Sequence, residues 1–533
     1  MAQLLDIFGF VSVLLRGLIL AFEAITVGGV IFLVCIVRAV PTRIPRLESL
    51  LRVFAALLAA AEFCSVAATA TVLVNTTDVT WAEAATAGFA LAGALIILGA
   101  LIVAATARRL SADAWLIGGF ACTLIVCGSV MGSHAVSRLE NRWLLTGFTA
   151  VHHIAAAAWI GGIPYLIGAL ASDASSEVER TITARFSRLA MVSVGLLAAA
   201  GVSLSYFYVG SESALRGTTY GIMLLGKTLL TAMLLFLGLR NLQIVRTIRR
   251  GLTPVLLPLR RFAEAEAGIG ITVFLAAASL TSTPPAVDVP ADLVTGKQIA
   301  ERVTPVWPLL ATPPLGALSP VSQLTASPQQ VQTLTLEPIR PVKSNNFADI
   351  EWSEYNHHWA GLVVLAIGLV ALLARRFSWA RLWPLLFLGL AVFLFIRADS
   401  ENWPLGPRGF WESFQVAEVA QHRLFVLLIV LFAVFESAVQ TKRLSPSKAG
   451  LVFPFVCAAG GALLLTHSHS LINAKEEFLA ELSHLPLALL GVAAGWSRWL
   501  EIRLPVERRN AVAWIWPVCF VLIGGILLNY REH

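Results

Sequence analysis

Histidine and glutamate recur together where apolar segments begin in the C-terminal half of the chain. The two residue types are three or four positions apart: Glu354 with His358, Glu418 with His422, and Glu481 with His484. Residues at these spacings share one face of a helix. A carboxylate and an imidazole together can bind divalent Cu, Zn or Fe, or the carboxylate can orient the imidazole ring by hydrogen bonding. The alternative is that the glutamates only offset the dipole at the helix N-terminus. The repeated pairing favours a metal site with His358, Glu418, His422, Glu481 and His484 as ligands.

Two further histidines, His467 and His469, lie in the stretch THSHS at the end of an apolar run. On a continuous helix, side chains two positions apart point about 200° away from each other. If the helix ends at His467 and the chain becomes extended, both rings can point the same way. We predict such a helix-end pair of ligands, facing His422 and His484.

The N-terminal half offers a softer set of candidate ligands. Cys127, Met131 and His134 are spaced by four and three positions, which places a thiol, a thioether and an imidazole on one helix face. Sulfur ligands favour Cu(I). The alternative is that these residues only pack against a neighbouring helix.

The adjacent residues His152 and His153 are the last candidate ligands. Their side chains are about 100° apart on a helix, and His152 shares its face with Trp159. We therefore expect only one of the two rings to point inward.

Membrane helices must position these residues. Of the 533 residues 57% are hydrophobic and 13% are charged, which excludes an ordinary soluble protein. Apolar runs of bilayer-spanning length recur from residues 8–37 to residues 511–529, and we count about fourteen, including 112–135 and 450–468. Lipid-embedded spans satisfy their backbone hydrogen bonds as helices. The predicted fold class is an all-α polytopic integral membrane protein.

Arginines and lysines cluster in alternate loops. The positive-inside rule makes these loops cytoplasmic and both chain termini external, so the net charge of +7 reflects topology rather than nucleic-acid binding. All ten histidines then fall on the external side or in the outer half of a span, although the orientation was derived without them.

A long stretch at residues 283–356 interrupts the spans. It holds eleven of the 24 prolines and no Cys or Met, and it predicts an extended, weakly ordered external loop. We therefore divide the chain into an eight-helix domain at 1–282, this loop, and a six-helix domain at 357–533 that bears the His/Glu pairs.

Charged residues also fall inside the spans: Arg16, Glu23, Glu62, Lys227 and Glu436. Arg16 and Glu23 are seven positions apart, on one helix face. Ionisable groups in a membrane line a cavity or pair with each other, which fits a transport pathway and structural ion pairs equally. The sequence does not assign their partners.

Three stretches carry a family resemblance: HHIAAAAWIGGIPYLIGAL (152–170), RFSRLAMVSVGLLAAAGVSLSYFYVGSESALRGTTYGIMLLGKTLL (185–230) and LTSTPPA (280–286). The front half, particularly 142–286, resembles the copper resistance protein D (CopD) family of bacterial inner-membrane proteins. The resemblance implies copper movement between periplasm and cytoplasm, with a CopC-type periplasmic copper-binding protein as a partner. The positions that fit the family pattern are Trp159, Gly161, Gly162, Tyr220, Gly221 and Lys227.

The leading hypothesis is a multi-pass inner-membrane protein, surrounded by lipid, that binds and transports copper and is not an enzyme. Copper would be captured by the C-terminal Glu/His cluster and by the outer ends of the fourth and fifth spans. One alternative is a b-type haem electron-transfer protein or membrane metalloenzyme, which needs two histidines at matching depth, whereas only His152 or His153 is clearly buried. A third reading is that the histidines sense external acid or only decorate the outer interface.

Overall fold

The computed structural model describes residues 2–40, 44–110, 113–172, 175–249, 256–290, 293–318, 347–400, 402–415, 417–466 and 474–531. Within these ranges the regular elements are all helices. Twelve of them are long and apolar enough to cross a bilayer. The prediction of a helical polytopic membrane protein is confirmed at this level, whereas the positions of the termini stay a prediction.

Two of the fourteen predicted spans correspond to shorter helices. The described parts of 112–135 and 450–468 contain the apolar helices Trp115–Met131 and Ala449–Leu464. At 1.5 Å per residue, 17 residues reach only about 26 Å, less than the ~30 Å hydrocarbon core. The structure thus supports twelve spans by length, and the count of fourteen stays a prediction.

The chain forms two compact units. The front unit comprises Met1–Thr295 with Ala462–Glu481 and Arg503–Pro505, and the back unit comprises Gly296–Gly461, Leu482–Ile502 and Val506–His533. The helices up to residue 282 are α1 Ala2–Cys35, α2 Pro45–Thr76, α3 Trp81–Thr86, α4 Gly88–Thr106, α5 Trp115–Met131, α6 His134–Ser137, α7 Arg142–Ala156, α8 Ile163–Ala169, α9 Ser176–Val209, α10 Glu212–Gly217, α11 Thr219–Arg249 and α12 Leu256–Ser282. Those that follow are α13 Gly296–Val303, α14 Phe347–Leu373, α15 Leu386–Arg397, α16 Ala417–Gln440, α17 Val452–Leu464, α18 Ala474–Arg503, α19 Val506–Val512 and α20 Ile515–Leu527.

Helix α1 lies at the centre of the front unit. It is apolar on nearly all sides, as expected of a buried helix, and it packs against α2, α5, α7 and α12. It also packs against a π-helical turn, Ala157–Gly161, that separates α7 from α8. A Cβ atom on Gly161 would lie 1.9 Å from the carbonyl oxygen of Ala24, and one on Gly28 would lie 2.2 Å from that of Ala157. Glycine is therefore required where the two backbones meet, which explains the WIGG motif.

In the back unit, α14 packs along α20 at Gly361, Gly368 and Gly524. An aromatic core next to this pair includes Trp383, Phe453, Trp516 and Phe520. Helix α14 begins at Phe347, ten residues before the predicted span, and α13 lies within the stretch predicted as a weakly ordered loop. Hydropathy does not report α13 or the first ten residues of α14, because these residues are largely polar.

Candidate functional site

A buried contact joins three helices of the front unit. Nδ1 of His153, on α7, lies 3.2 Å from Oε1 of Glu23 on α1 and 3.2 Å from Oγ of Ser129 on α5. The Glu23 side chain is 5% exposed and the His153 side chain 20%. A carboxylate that accepts the Nδ1 proton of a histidine orients the ring and leaves Nε2 as the metal-binding atom.

A second carboxylate lies beside this contact. Glu62 on α2 is buried, and both Arg16 and Glu23 act on it electrostatically. The Oε2 atoms of Glu23 and Glu62 are buried and have no hydrogen-bond partner in the described part of the chain. We call Arg16, Glu23, Glu62, Ser129 and His153 the outer polar cluster.

The outer polar cluster combines two carboxyl groups, one guanidinium and one imidazole. Two ionised carboxylates would outweigh the guanidinium. Buried carboxylate oxygens without donors are costly, and a cation would satisfy them. Helical periodicity places Arg16 and Glu23 on one face of α1, whereas the partners on α2, α5 and α7 are visible only in the packed structure.

The second histidine of the pair faces another direction. A Cβ atom at Gly201, on α9, would lie 3.5 Å from Cε1 of His152, and Lys227 of α11 acts on this histidine electrostatically. Nδ1 of His152 is buried without a hydrogen-bond partner among the described residues. His153 thus contacts α1 and α5, whereas His152 lies near α9, and the expectation that only one ring points inward stays a prediction.

The sulfur-containing stripe does not converge on the outer polar cluster. Cys127 is exposed and Met131 is 43% exposed, whereas Ser129 on the opposite side of α5 is fully buried. His134 lies beyond the end of α5, where it hydrogen-bonds to the backbone of Thr281, and its Nε2 is buried. Burial lowers the pKa of His134 and favours the neutral imidazole. The structure separates Cys127 and Met131 from His134.

A second polar contact lies deeper in the front unit. Asn241 of α11 donates a 2.8 Å hydrogen bond from Nδ2 to Oε1 of the buried Glu266 on α12. A Cβ atom at Gly238 would lie 3.8 Å from this oxygen and 4.0 Å from Cζ2 of Trp159. Glu266 lies ten residues after Leu256, the first residue of α12, and His153 lies eleven residues after Arg142, the first residue of α7. In the predicted topology these two helices begin on opposite sides of the membrane. If the spans have the predicted orientation, the two polar contacts lie at different depths.

The TTYG motif forms a tight start to helix α11. Oγ1 of Thr218 accepts a 3.0 Å hydrogen bond from the Gly221 amide, and a Cβ atom on Gly221 would lie 2.3 Å from the carbonyl oxygen of Leu215. The Tyr220 ring packs edge-on to Tyr208. These contacts give Tyr220 and Gly221 structural roles at the start of α11.

His358 in the back unit is held by backbone groups. It is 1% exposed, its Nδ1 accepts a 2.7 Å hydrogen bond from the Leu309 amide, and Nε2 donates to the carbonyl oxygen of Tyr530 at 3.0 Å. Both ring nitrogens are thus engaged, and Glu354 is not the partner of either one in these bonds. His358 thereby connects α14 to the segment around Leu309 and to Tyr530, which follows α20.

His422 contacts a carboxylate that the sequence did not indicate. Nδ1 of His422 lies 2.9 Å from Oδ1 of Asp399, just beyond α15. The predicted partner was Glu418, on the same helix as His422. Asp399 follows one apolar span and precedes another, a position from which it can reach α16.

The remaining C-terminal candidates are only partly described. Glu481 is buried and His484 partly buried, both on α18. The side chain of Glu418 and the residues His467 and His469 lie outside the described residues. Within the described ranges, no group of three or more His, Cys, Asp or Glu side chains is arranged so that it could hold a metal ion. The ligand assignments therefore stay predictions.

Replacing His358 by alanine is expected to lower the free energy of unfolding by about 1–3 kcal/mol, because two buried backbone groups lose their partner. Copper content per protein should stay at the wild-type value. Thermal unfolding and elemental analysis of the purified protein measure the two effects. Loss of copper at an unchanged melting temperature would instead make His358 a ligand.

One comparison with known proteins covers part of the front unit. Residues 180–280 match the family model described as copper resistance protein D (CopD). The chain is 31% identical over 165 residues to the copper transport protein CutJ of Bacillus subtilis (strain 168), across 30% of this chain and 29% of that protein. No solved structure gives a significant match. The segment that the family model matches is shorter than the predicted front half. It contains Lys227, Asn241 and Glu266, whereas the outer polar cluster lies outside it.

Proposed function

Because residues 180–280 belong to the CopD family, we propose that this chain is an inner-membrane protein that binds copper in its front unit and moves it across the bilayer. The observation that carries the proposal is the buried contact between His153 and Glu23, with a second carboxylate, Glu62, beside it. The chain spans about 29% of the length of CutJ, and copper transport is what the name of that relative states.

The donor types favour Cu(II). Imidazole and carboxylate suit Cu(II), Zn or Fe, whereas Cu(I) prefers sulfur. The thioether of Met131 and the thiol of Cys127 lie on an exposed face of α5. Among the metals that these donors accept, the family match supports copper.

An incomplete ligand set suits transport. A permeating ion must bind well enough to enter and weakly enough to leave, so a site with few protein ligands releases its ion more easily. We infer that copper contacts the outer polar cluster first and the Asn241–Glu266 contact next, because these lie at different depths and each holds a buried carboxylate.

The external C-terminal residues would supply the ion. We propose that Asp399 and His422, with the predicted ligands Glu418, His467, His469, Glu481 and His484, capture copper outside the membrane, alone or from a CopC-type partner. Both termini would then lie in the periplasm. The descriptions of the family and of the relative both name copper and neither names haem.

Copper flux into proteoliposomes tests the proposal. Glu23→Gln and His153→Ala should each lower copper affinity by about 10- to 100-fold, the usual effect of removing a group that orients or forms a metal site, with a comparable loss of flux. Glu177→Gln, at an exposed position on α9, makes the same chemical change and should leave flux unchanged.

Thermal unfolding of each variant separates loss of function from loss of fold. Wild-type copper affinity and flux in both Glu23→Gln and His153→Ala would overturn the proposed site. Retained copper binding without flux in the wild-type protein would overturn transport but not binding.

A further inference from the structure

A basic cavity lies in the back unit, at the end that carries the arginine- and lysine-rich loops. Its volume is about 410 Å³. Four cationic side chains from different elements line it: Arg381, Lys442, Arg498 and Arg509. Their elements are the 3-10 helix Trp379–Leu385, the turn after α16, α18 and α19.

The one carboxylate in the lining is already neutralised. Glu501 accepts hydrogen bonds from Nη1 of Arg498 at 2.6 Å and Nε1 of Trp516 at 2.9 Å, and it also pairs with Arg375. Arg375 does not line the cavity. The cavity therefore keeps an excess of positive charge, and Glu501 does not cancel it.

The side chain of Arg498 and the backbone of Lys442 are fixed by their local contacts. Arg498 is 15% exposed, pairs with Glu501, and has an Nε atom that is buried without a hydrogen-bond partner in the described part of the chain. Lys442 has a φ of 62°, in the left-handed region that glycine prefers, and ends α16 through a 2.8 Å bond from the Arg443 amide to the carbonyl oxygen of Ala438. Non-glycine residues in this conformation concentrate at functional positions.

We propose that this cavity binds a phosphate group, as carried by an anionic phospholipid or by a free phosphate. Guanidinium and ammonium groups recognise phosphate oxygens by charge-assisted hydrogen bonds. Basic pockets between membrane helices on the side of the positive loops bind lipid head groups. Arg381, Lys442 and Arg509 are exposed, so the ligand can reach the cavity from solvent or from the bilayer surface.

Lipid retention by the full-length protein in detergent tests the site. The cavity variant combines Arg381→Gln, Lys442→Gln and Arg509→Gln. The matched control combines Arg376→Gln, Arg443→Gln and Arg508→Gln, neighbouring basic residues that do not line the cavity. Arg498 is kept, because its removal would leave Glu501 poorly compensated.

Native mass spectrometry with added phosphatidylglycerol or phosphatidylcholine measures lipid binding, and calorimetry with inorganic phosphate measures the free anion. We expect phosphatidylglycerol affinity to fall by at least about tenfold in the cavity variant and to persist in the control. If inorganic phosphate binding falls instead, free phosphate is the ligand and the site stands.

Equal affinity of the cavity and control variants for both probes would overturn the proposal, since only total charge would then matter. Lys442→Glu is a second variant with one exposed change. It should weaken the same binding at an unchanged melting temperature, and wild-type binding by Lys442→Glu would also count against the site.

Discussion

Valine at Gly161 is expected to destabilise the front unit by at least about 3 kcal/mol and to abolish copper transport. Its Cβ atom would lie 1.9 Å from the carbonyl oxygen of Ala24, so two backbones would have to separate. Overpacking usually costs about 1–3 kcal/mol, and backbone relaxes less easily than a flexible side chain. Separating α1 from the π-helical turn would also move Glu23 away from His153. Thermal unfolding in detergent and copper flux in proteoliposomes measure the two effects.

The matched control is Gly147→Val, on α7 itself. A Cβ atom there meets nothing within 4 Å, and the residue is exposed. This variant should unfold at the wild-type temperature and transport copper normally. If Gly161→Val does the same, the close approach of α1 and the π-helical turn is not needed for stability or transport.

Replacing Glu501 by glutamine is expected to lower the free energy of unfolding by about 3–5 kcal/mol, the usual cost of removing one partner from a buried ion pair. The Glu501 side chain is 10% exposed and binds Arg375, Arg498 and Trp516. Glutamine keeps the shape but leaves two guanidinium groups without a counter-charge. Chemical unfolding followed by tryptophan fluorescence measures the change.

Glu507→Gln is the control for this effect, because Glu507 is exposed on the neighbouring helix α19. It should shift the unfolding midpoint little. Adding Arg375→Gln to Glu501→Gln should recover part of the lost stability, since one uncompensated charge is removed. A wild-type midpoint for Glu501→Gln alone would mean that the carboxylate does not hold the ends of these helices together.

Pair spacing along the chain did not indicate the contacts that some of these histidines make with distant segments. The i, i+4 rule paired His422 with Glu418 and His358 with Glu354. In the structure, His422 contacts Asp399 from another segment, and the backbone holds both nitrogens of His358. A spacing rule reports which side chains share a helix face but not what that face meets.

The sequence by itself determined the class of this protein, its apolar segments and the basic ends of its spans, because hydropathy and charge are properties of short segments. It also placed Arg16 and Glu23 on one helix face. Only the tertiary structure brought Glu23, His153 and Ser129 together and turned Cys127 and Met131 outward. The physical reason is that such contacts depend on how each helix is rotated and which helix lies beside it. Packing among distant segments sets both, through close approaches such as that of Gly161 to Ala24.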